Sequence, residues 1–134
     1  MAVEVGQSAS ISRVVTGSDV AAFAELTLDR NPIHLDEEYA ASTIFGQRIA
    51  HGMIVAALIS AVLGTKLPGP GCIYLEQELR FTAPVFFGDF LTASCTVTEL
   101  GQGNRCTMAT EVVNGDGIVV VSGAALLVLP REAK

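Results

Sequence analysis

A chain of 134 residues, half of them apolar, is long enough for one domain with an adequate core and too short for two. Its net charge of -6 excludes nucleic acid as a general partner, because no basic stripe is present to displace phosphate counterions. The three cysteines, Cys72, Cys95 and Cys106, have neither CxxC nor metal-ligand spacing, which predicts reduced thiols in a cytoplasmic protein rather than a disulfide framework or a zinc site.

The first six residues, Met1-Ala2-Val3-Glu4-Val5-Gly6, lack the basic and apolar regions of a signal peptide, so no export is expected. Residues 8–15 alternate as a first strand. Gly17-Ser18-Asp19 then signals a helix, with Ser18 as N-cap and Val20, Phe23, Ala24 and residues 26–28 as its apolar face. That helix stops near Asp29. Pro32 disfavours a helical Asn31, so residues 29–33 are predicted to form a turn. Residues 35–40 read as a short helix with Asp36 near its start, and residues 42–48 as irregular.

Residues 49–65 are uncharged and approach the length of a membrane span, roughly 17 to 25 residues. His51, Gly52, Ser60 and Gly64 interrupt the run, and amphipathic strands follow it, which favours a buried helix and no membrane partner. The helix is predicted over residues 52–67, ended by Pro68-Gly69-Pro70-Gly71. Its apolar character on all sides calls for enclosure by a sheet.

Four β-like runs supply that sheet, at residues 72–81, 90–99, 105–113 and 118–129. In the first, alternation places Ile73, Leu75, Leu79 and Phe81 on one face and Glu76, Glu78 and Arg80 on the other. Gln77 is a polar exception that needs a partner wherever it is buried. Turns at 101–104 and 114–117 predict antiparallel hairpins, and the final run is apolar on both faces, as in a central strand or a subunit interface. The fold class is therefore α+β, one domain over residues 1–134, with an antiparallel sheet wrapped around a long central helix.

The stretch Asp29-Arg30-Asn31-Pro32-Ile33-His34 carries the chemistry. A carboxylate and an imidazole around an Asn-Pro turn form a candidate acid/base pair. Spacing alone leaves open a helix-end aspartate and an ordinary core or surface histidine. Gly52, opening the long helix, offers a backbone N–H at the positive end of the helix dipole and no side chain to block an approaching ligand; tight packing is the other reason for a glycine there. His51, just outside the helix, reads as structural. Ser60 lies close to the Gly52 face of the same helix, where a hydroxyl bonded one turn back would look alike.

In Asp29-Arg30-Asn31-Pro32-Ile33-His34 and His51-Gly52-Met53, the chain resembles the (R)-specific enoyl-CoA hydratases of the MaoC-like dehydratase family. Ile73-Tyr74-Leu75, Leu79-Arg80-Phe81 and Pro84-Val85-Phe86-Phe87-Gly88-Asp89 support the resemblance, which extends over nearly the whole chain. It implies the hot-dog fold and hydration of a trans-2-enoyl-CoA thioester. Asp29 and His34 match the catalytic pair, with Asp29 as base and His34 orienting the water or delivering the proton. Gly52 matches the oxyanion donor, and Ser60 a serine that hydrogen-bonds the aspartate. Asn31 is assigned to orienting His34, with turn formation as the competing role, and Leu63 to lining the acyl pocket, with plain core packing as its alternative.

The same resemblance implies a homodimer with sheets joined edge to edge, and no metal or redox cofactor, since water is the second substrate. A related subunit dehydrating a 3-hydroxyacyl chain on acyl carrier protein, a thioester hydrolase and a non-catalytic acyl-CoA-binding module are the other readings. The two intact acid/base residues weigh against the last.

Overall fold

The computed structural model describes residues 2–131. The chain begins with β1 (Ser8–Val14) and α1 (Gly17–Thr27). The N-cap of α1 is Thr16, two residues before the Ser18 expected from sequence. Thr16 Oγ1 accepts from the Asp19 N–H at 3.1 Å, and Asp19 Oδ2 accepts from the Thr16 N–H at 2.9 Å. This reciprocal pair satisfies two donors at once, which a Ser18 cap would not do. Only Val20 and Ala24 of α1 are buried; Leu26 and Leu28 are 81% and 72% exposed, against the apolar face predicted for them.

Leu28 ends α1 in the left-handed region, at φ 67, and its N–H returns to the Ala24 carbonyl at 2.9 Å. The reversal leads into α2 (Pro32–Leu35), so the expected turn becomes a single helical turn from Pro32 onward. Asn31 stays extended before the proline at ψ 126, and its Oδ1 accepts from the Ile33 N–H at 3.2 Å. Proline suits the first helical position because its missing donor is one the helix cannot use there. Then follow α3 (Glu37–Ala41), capped by Asp36 through the Tyr39 N–H at 3.0 Å, and the long helix α4 (Gly52–Thr65).

The second half forms β2 (Ile73–Phe81), β3 (Phe90–Leu100), β4 (Arg105–Val113) and β5 (Val119–Val128). They join β1 in one antiparallel sheet of order β1-β3-β4-β5-β2, with the two expected hairpins at β3–β4 and β4–β5. The helix-facing side carries Leu91, Ala93, Cys95 and Val97 of β3, Met108 and Val112 of β4, and Val121, Ala125 and Leu127 of β5. Against them α4 buries Val55, Ile59, Val62 and Leu63. Each such side chain contributes about 2 kcal/mol by leaving water, which fixes α4 along β1, β3, β4 and β5.

Enclosure of α4 is one-sided, contrary to the sequence expectation. Met53, Ala57, Ser60 and Gly64 face outward, because α4 packs its opposite face on β1, β3, β4 and β5. At 14 residues α4 spans about 21 Å, and among the described residues no helix is long and apolar enough to cross a membrane.

The facing of β2 also departs from simple alternation. Tyr74 pairs with Leu127 but Gln77 with Ala125, so the register shifts between Tyr74 and Glu76. One extra residue in this bulge brings Tyr74 to the helix side shared by Gln77, Leu79 and Phe81, and leaves Ile73 and Leu75 exposed. Gln77 has the partners its position demands: its Nε2 donates to Thr110 Oγ1 at 3.0 Å and to the Glu78 carbonyl at 2.8 Å, and the Tyr74 hydroxyl donates to its Oε1. The last strand, β5, is internal between β4 and β2, which accounts for its two-sided apolar character.

Candidate active site

Asp29 leaves the Leu28 reversal with its carboxylate at the edge of a cavity of about 590 Å³. Its Oδ1 accepts from the Asn31 N–H at 3.3 Å, and its own N–H donates to Thr27 Oγ1 at 3.2 Å, so the turn holds the carboxylate locally. One turn on, α2 carries His34 inward until it is 8% exposed. His34 Nδ1 bonds the Ile49 carbonyl at 2.7 Å. A carbonyl only accepts, so the proton stands on Nδ1 and Nε2 keeps a lone pair. Burial is the first cause holding the His34 pKa below its usual 6.5; the Ile49 bond opposes it, the His51 ring adds to it, and Asp29 opposes it.

His51, the N-cap of α4, completes the cluster. Its ring stacks on that of His34, centroids 3.8 Å apart and planes at 29°. A carboxylate oxygen of Asp29 and one ring nitrogen each from His34 and His51 lie within 4.8 Å of one another. Proximity alone would suit a cation. Each ring gives one nitrogen to a backbone carbonyl, His34 Nδ1 to Ile49 and His51 Nε2 to Asp29, which leaves one nitrogen per ring. A water donating both hydrogens spans acceptors roughly 4.5 Å apart, and the Asp29 carboxylate and the imidazole nitrogens lie within 4.8 Å of one another.

The opposite wall of the cavity begins at Gly52. His51 supplies no side-chain cap, and the first intrahelical bonds of α4 come from Ile54 and Val55 to the His51 carbonyl. The N–H groups of Gly52 and Met53 therefore have no acceptor among the described residues, and both residues line the cavity. Two free donors at a helix N-terminus suit a developing negative charge. The remaining wall is apolar apart from Thr82, with Phe45, Phe81, Pro84, Val85 and Val121.

Asp29 and Gly52 thus line one cavity, and His34, though not part of its lining, stands within 4.8 Å of the Asp29 carboxylate. The other expected residues do not line the cavity. Asn31 orients nothing through its side chain beyond the Ile33 N–H, so its part is turn formation. Ser60 is exposed on α4 and does not bond Asp29 within the single chain, because its face of the helix points away from the sheet. Leu63 is 1% exposed in the core and lines no part of this cavity. Missed from sequence were the Ile49 carbonyl, Phe45 and Phe81. The alternation that places Phe81 on the face of Leu79 was a signal for the last, and the structure keeps that facing.

A family model described as "MaoC like domain" matches residues 2–118. The (R)-specific enoyl-CoA hydratase of Rhodospirillum rubrum is 47% identical over 130 residues, covering 97% of this chain and 90% of that protein. The 3-hydroxybutyryl-CoA dehydratase of Methylorubrum extorquens is 49% identical over 130 residues, covering 96% and 82%. Among solved structures, the (R)-hydratase from Aeromonas caviae involved in PHA biosynthesis superposes with a TM-score of 0.93 at 46% identity, covering 96% of this chain and 98% of that one.

Proposed function

The chain belongs to the MaoC-like domain family, with its hot-dog fold, and from that premise we propose that it catalyses the reversible (R)-specific hydration of trans-2-enoyl-CoA to (R)-3-hydroxyacyl-CoA. The observation that carries the reading is the approach of the Asp29 carboxylate and the His34 imidazole to within 4.8 Å, beside the cavity that Asp29 and Gly52 line and near the free N–H of Gly52. Hydration needs a base, a proton source and a charge acceptor for the thioester oxygen, and Asp29, His34 and Gly52 offer those three parts at and beside one largely apolar cavity.

In this reading Asp29 takes a proton from the bound water while its oxygen attacks C3. His34 accepts the water's second hydrogen at Nε2 and so aims the attack. Charge moves through C2 onto the thioester oxygen, where the Gly52 N–H holds it. C2 then takes a proton back from the Asp29 and His34 pair, and the product is neutral overall. The same groups run the dehydration in reverse. The acyl chain lies along the apolar wall, with the nucleotide end of coenzyme A outside. Water being the second substrate, the chemistry calls for no metal or redox cofactor.

Two further statements belong to the proposal. The enzyme is a homodimer joined along β2, since that free edge exposes Ile73, Leu75 and Phe81 and such an edge invites pairing. It is cytoplasmic, in keeping with three free thiols.

The deciding experiment follows loss of the conjugated enoyl-thioester absorbance on adding crotonyl-CoA, for wild type and for folded Asp29→Asn and His34→Ala. The expected result is turnover by wild type and a loss of about 10² to 10⁴ in each variant. No turnover, or release of free thiol, overturns the hydratase reading in favour of a carrier-linked dehydratase or a thioester hydrolase respectively.

A further inference from the structure

We propose that His51 is the positioning residue of the acid/base pair: it ties the Asp29 turn to the head of α4 and backs the ring of His34. The inference deepens the function proposed above and rests on it.

His51 is 1% exposed and takes no direct part in the hydration chemistry. Its Nε2–H donates to the Asp29 carbonyl at 2.9 Å, a bond that joins residues 22 apart in sequence. That contact fixes the backbone of the residue whose carboxylate must meet the water. One face of the His51 ring carries the His34 ring at 3.8 Å, and Phe23 packs on it at 4.9 Å and 60°. The next residue along the chain is Gly52, with its unused N–H. A single side chain therefore sets the relative positions of carboxylate, imidazole and oxyanion donor.

The fate of Nδ1 separates this role from mere filling of space. Nδ1 is buried without a hydrogen-bond partner among the described residues. Phe or Leu would fill the volume with no orphaned polar atom, so what the imidazole adds is the donor at Nε2. The bond to the Asp29 carbonyl demands that the proton sit on Nε2, which leaves Nδ1 as the atom without a partner.

The test uses the whole protein in three forms. His51→Phe keeps a ring against His34 and Phe23 but has no donor. His51→Gln places an amide donor close to the position of Nε2 and has no ring. For folded variants with near-native melting temperatures, His51→Phe is expected to lower kcat about tenfold or more with KM within about twofold, since a small misplacement of reacting groups acts on the chemical step. His51→Gln is expected to recover part of that loss. A folded His51→Phe with wild-type kcat, or equal losses in Phe and Gln, overturns the proposal.

Nitrogen NMR of the wild-type imidazoles decides the matter where the variants do not fold. The proposal requires Nε2–H on His51 and Nδ1–H on His34; a proton on His51 Nδ1 removes the donor and the proposal with it. This readout needs no turnover, so absence of crotonyl-CoA hydration by wild type would count against the function and leave the tautomers to judge the positioning.

Discussion

The ring of Phe81 lies against the bare Cα of Gly52: two of its carbons stand 2.7 Å from the point where a Cβ on residue 52 would be. Glycine at this position thus serves packing as well as access to the backbone donor. Gly52→Ala should lose about 1 to 3 kcal/mol of stability from the clash and most of its hydration rate. Adding Phe81→Leu makes room for the methyl group, and unfolding in urea should show the stability restored. We expect the rate to remain about tenfold or more below that of Phe81→Leu alone, because the methyl still holds the thioester oxygen off the N–H. Full recovery of rate in the double variant would reduce Gly52 to a packing role.

His34 sets a pH dependence whose sign follows from its surroundings. Burial, the largest cause, lowers its pKa below 6.5, and the ring accepts the water only while Nε2 is unprotonated. The value of kcat/KM should therefore rise with pH along a limb whose midpoint lies below 6.5, then level off. Stability follows the same direction. The unfolded chain binds the proton more readily, so stability is complete above 6.5 and is lost as pH falls from there through the lowered folded value. Comparing urea midpoints of wild type and His34→Gln at both ends of this range isolates the effect; a wild-type profile that keeps its acid limb in His34→Gln would remove His34 from it.

What the sequence made legible was local. The β3–β4 and β4–β5 hairpins follow from alternation broken by Gly and Asn turns, and each ladder keeps its register but for one shift, at Val97/Glu99 and at Val112/Val113. Asp36 caps its helix as expected, since a cap depends on residues three apart. What failed was each inference that needed a partner far along the chain. The bulge near Leu75 reverses the facing of the start of β2, at Ile73 and Tyr74, with a single inserted residue, which composition does not register. The apolar face assigned to Leu26 and Leu28 has no neighbour to cover it. Within the site, the Asp29 and His34 pair was readable because both sit on one short turn. The contact from His51 to the Asp29 carbonyl crosses 22 residues and was not.

Gly123 gives a separate test of the sheet. A Cβ there would stand 1.8 Å from the Glu78 carbonyl oxygen, a backbone atom of β2 that cannot move without opening the β2–β5 ladder. Gly123→Ala should cost about 3 kcal/mol or more, seen as a lowered urea midpoint and faster exchange of amides across β2 and β5. An unchanged midpoint would mean that β2 is held more loosely than its register implies.

The edge of β2 carries the last prediction. At the other edge, β1 is largely polar, with Ser8, Ser10, Ser12 and Arg13, and Lys66 Nζ bonds the Ser10 carbonyl at 2.8 Å. Charges and polar groups of this kind discourage further pairing. By contrast, Ile73, Leu75 and Phe81 leave apolar surface exposed along β2, and Phe81 is also part of the cavity wall. Pairing of two β2 strands would cover this surface and wall off the cavities beside it. The chain should therefore sediment at twice its 14.0 kDa, and Ile73→Lys with Leu75→Lys should shift it toward the single-chain mass. Because neither residue lines the cavity, their effect on turnover acts through assembly: the rate should fall in step with the dimer fraction as the protein is diluted. A variant that is monomeric at every concentration yet keeps the wild-type rate would show that one chain holds a complete site.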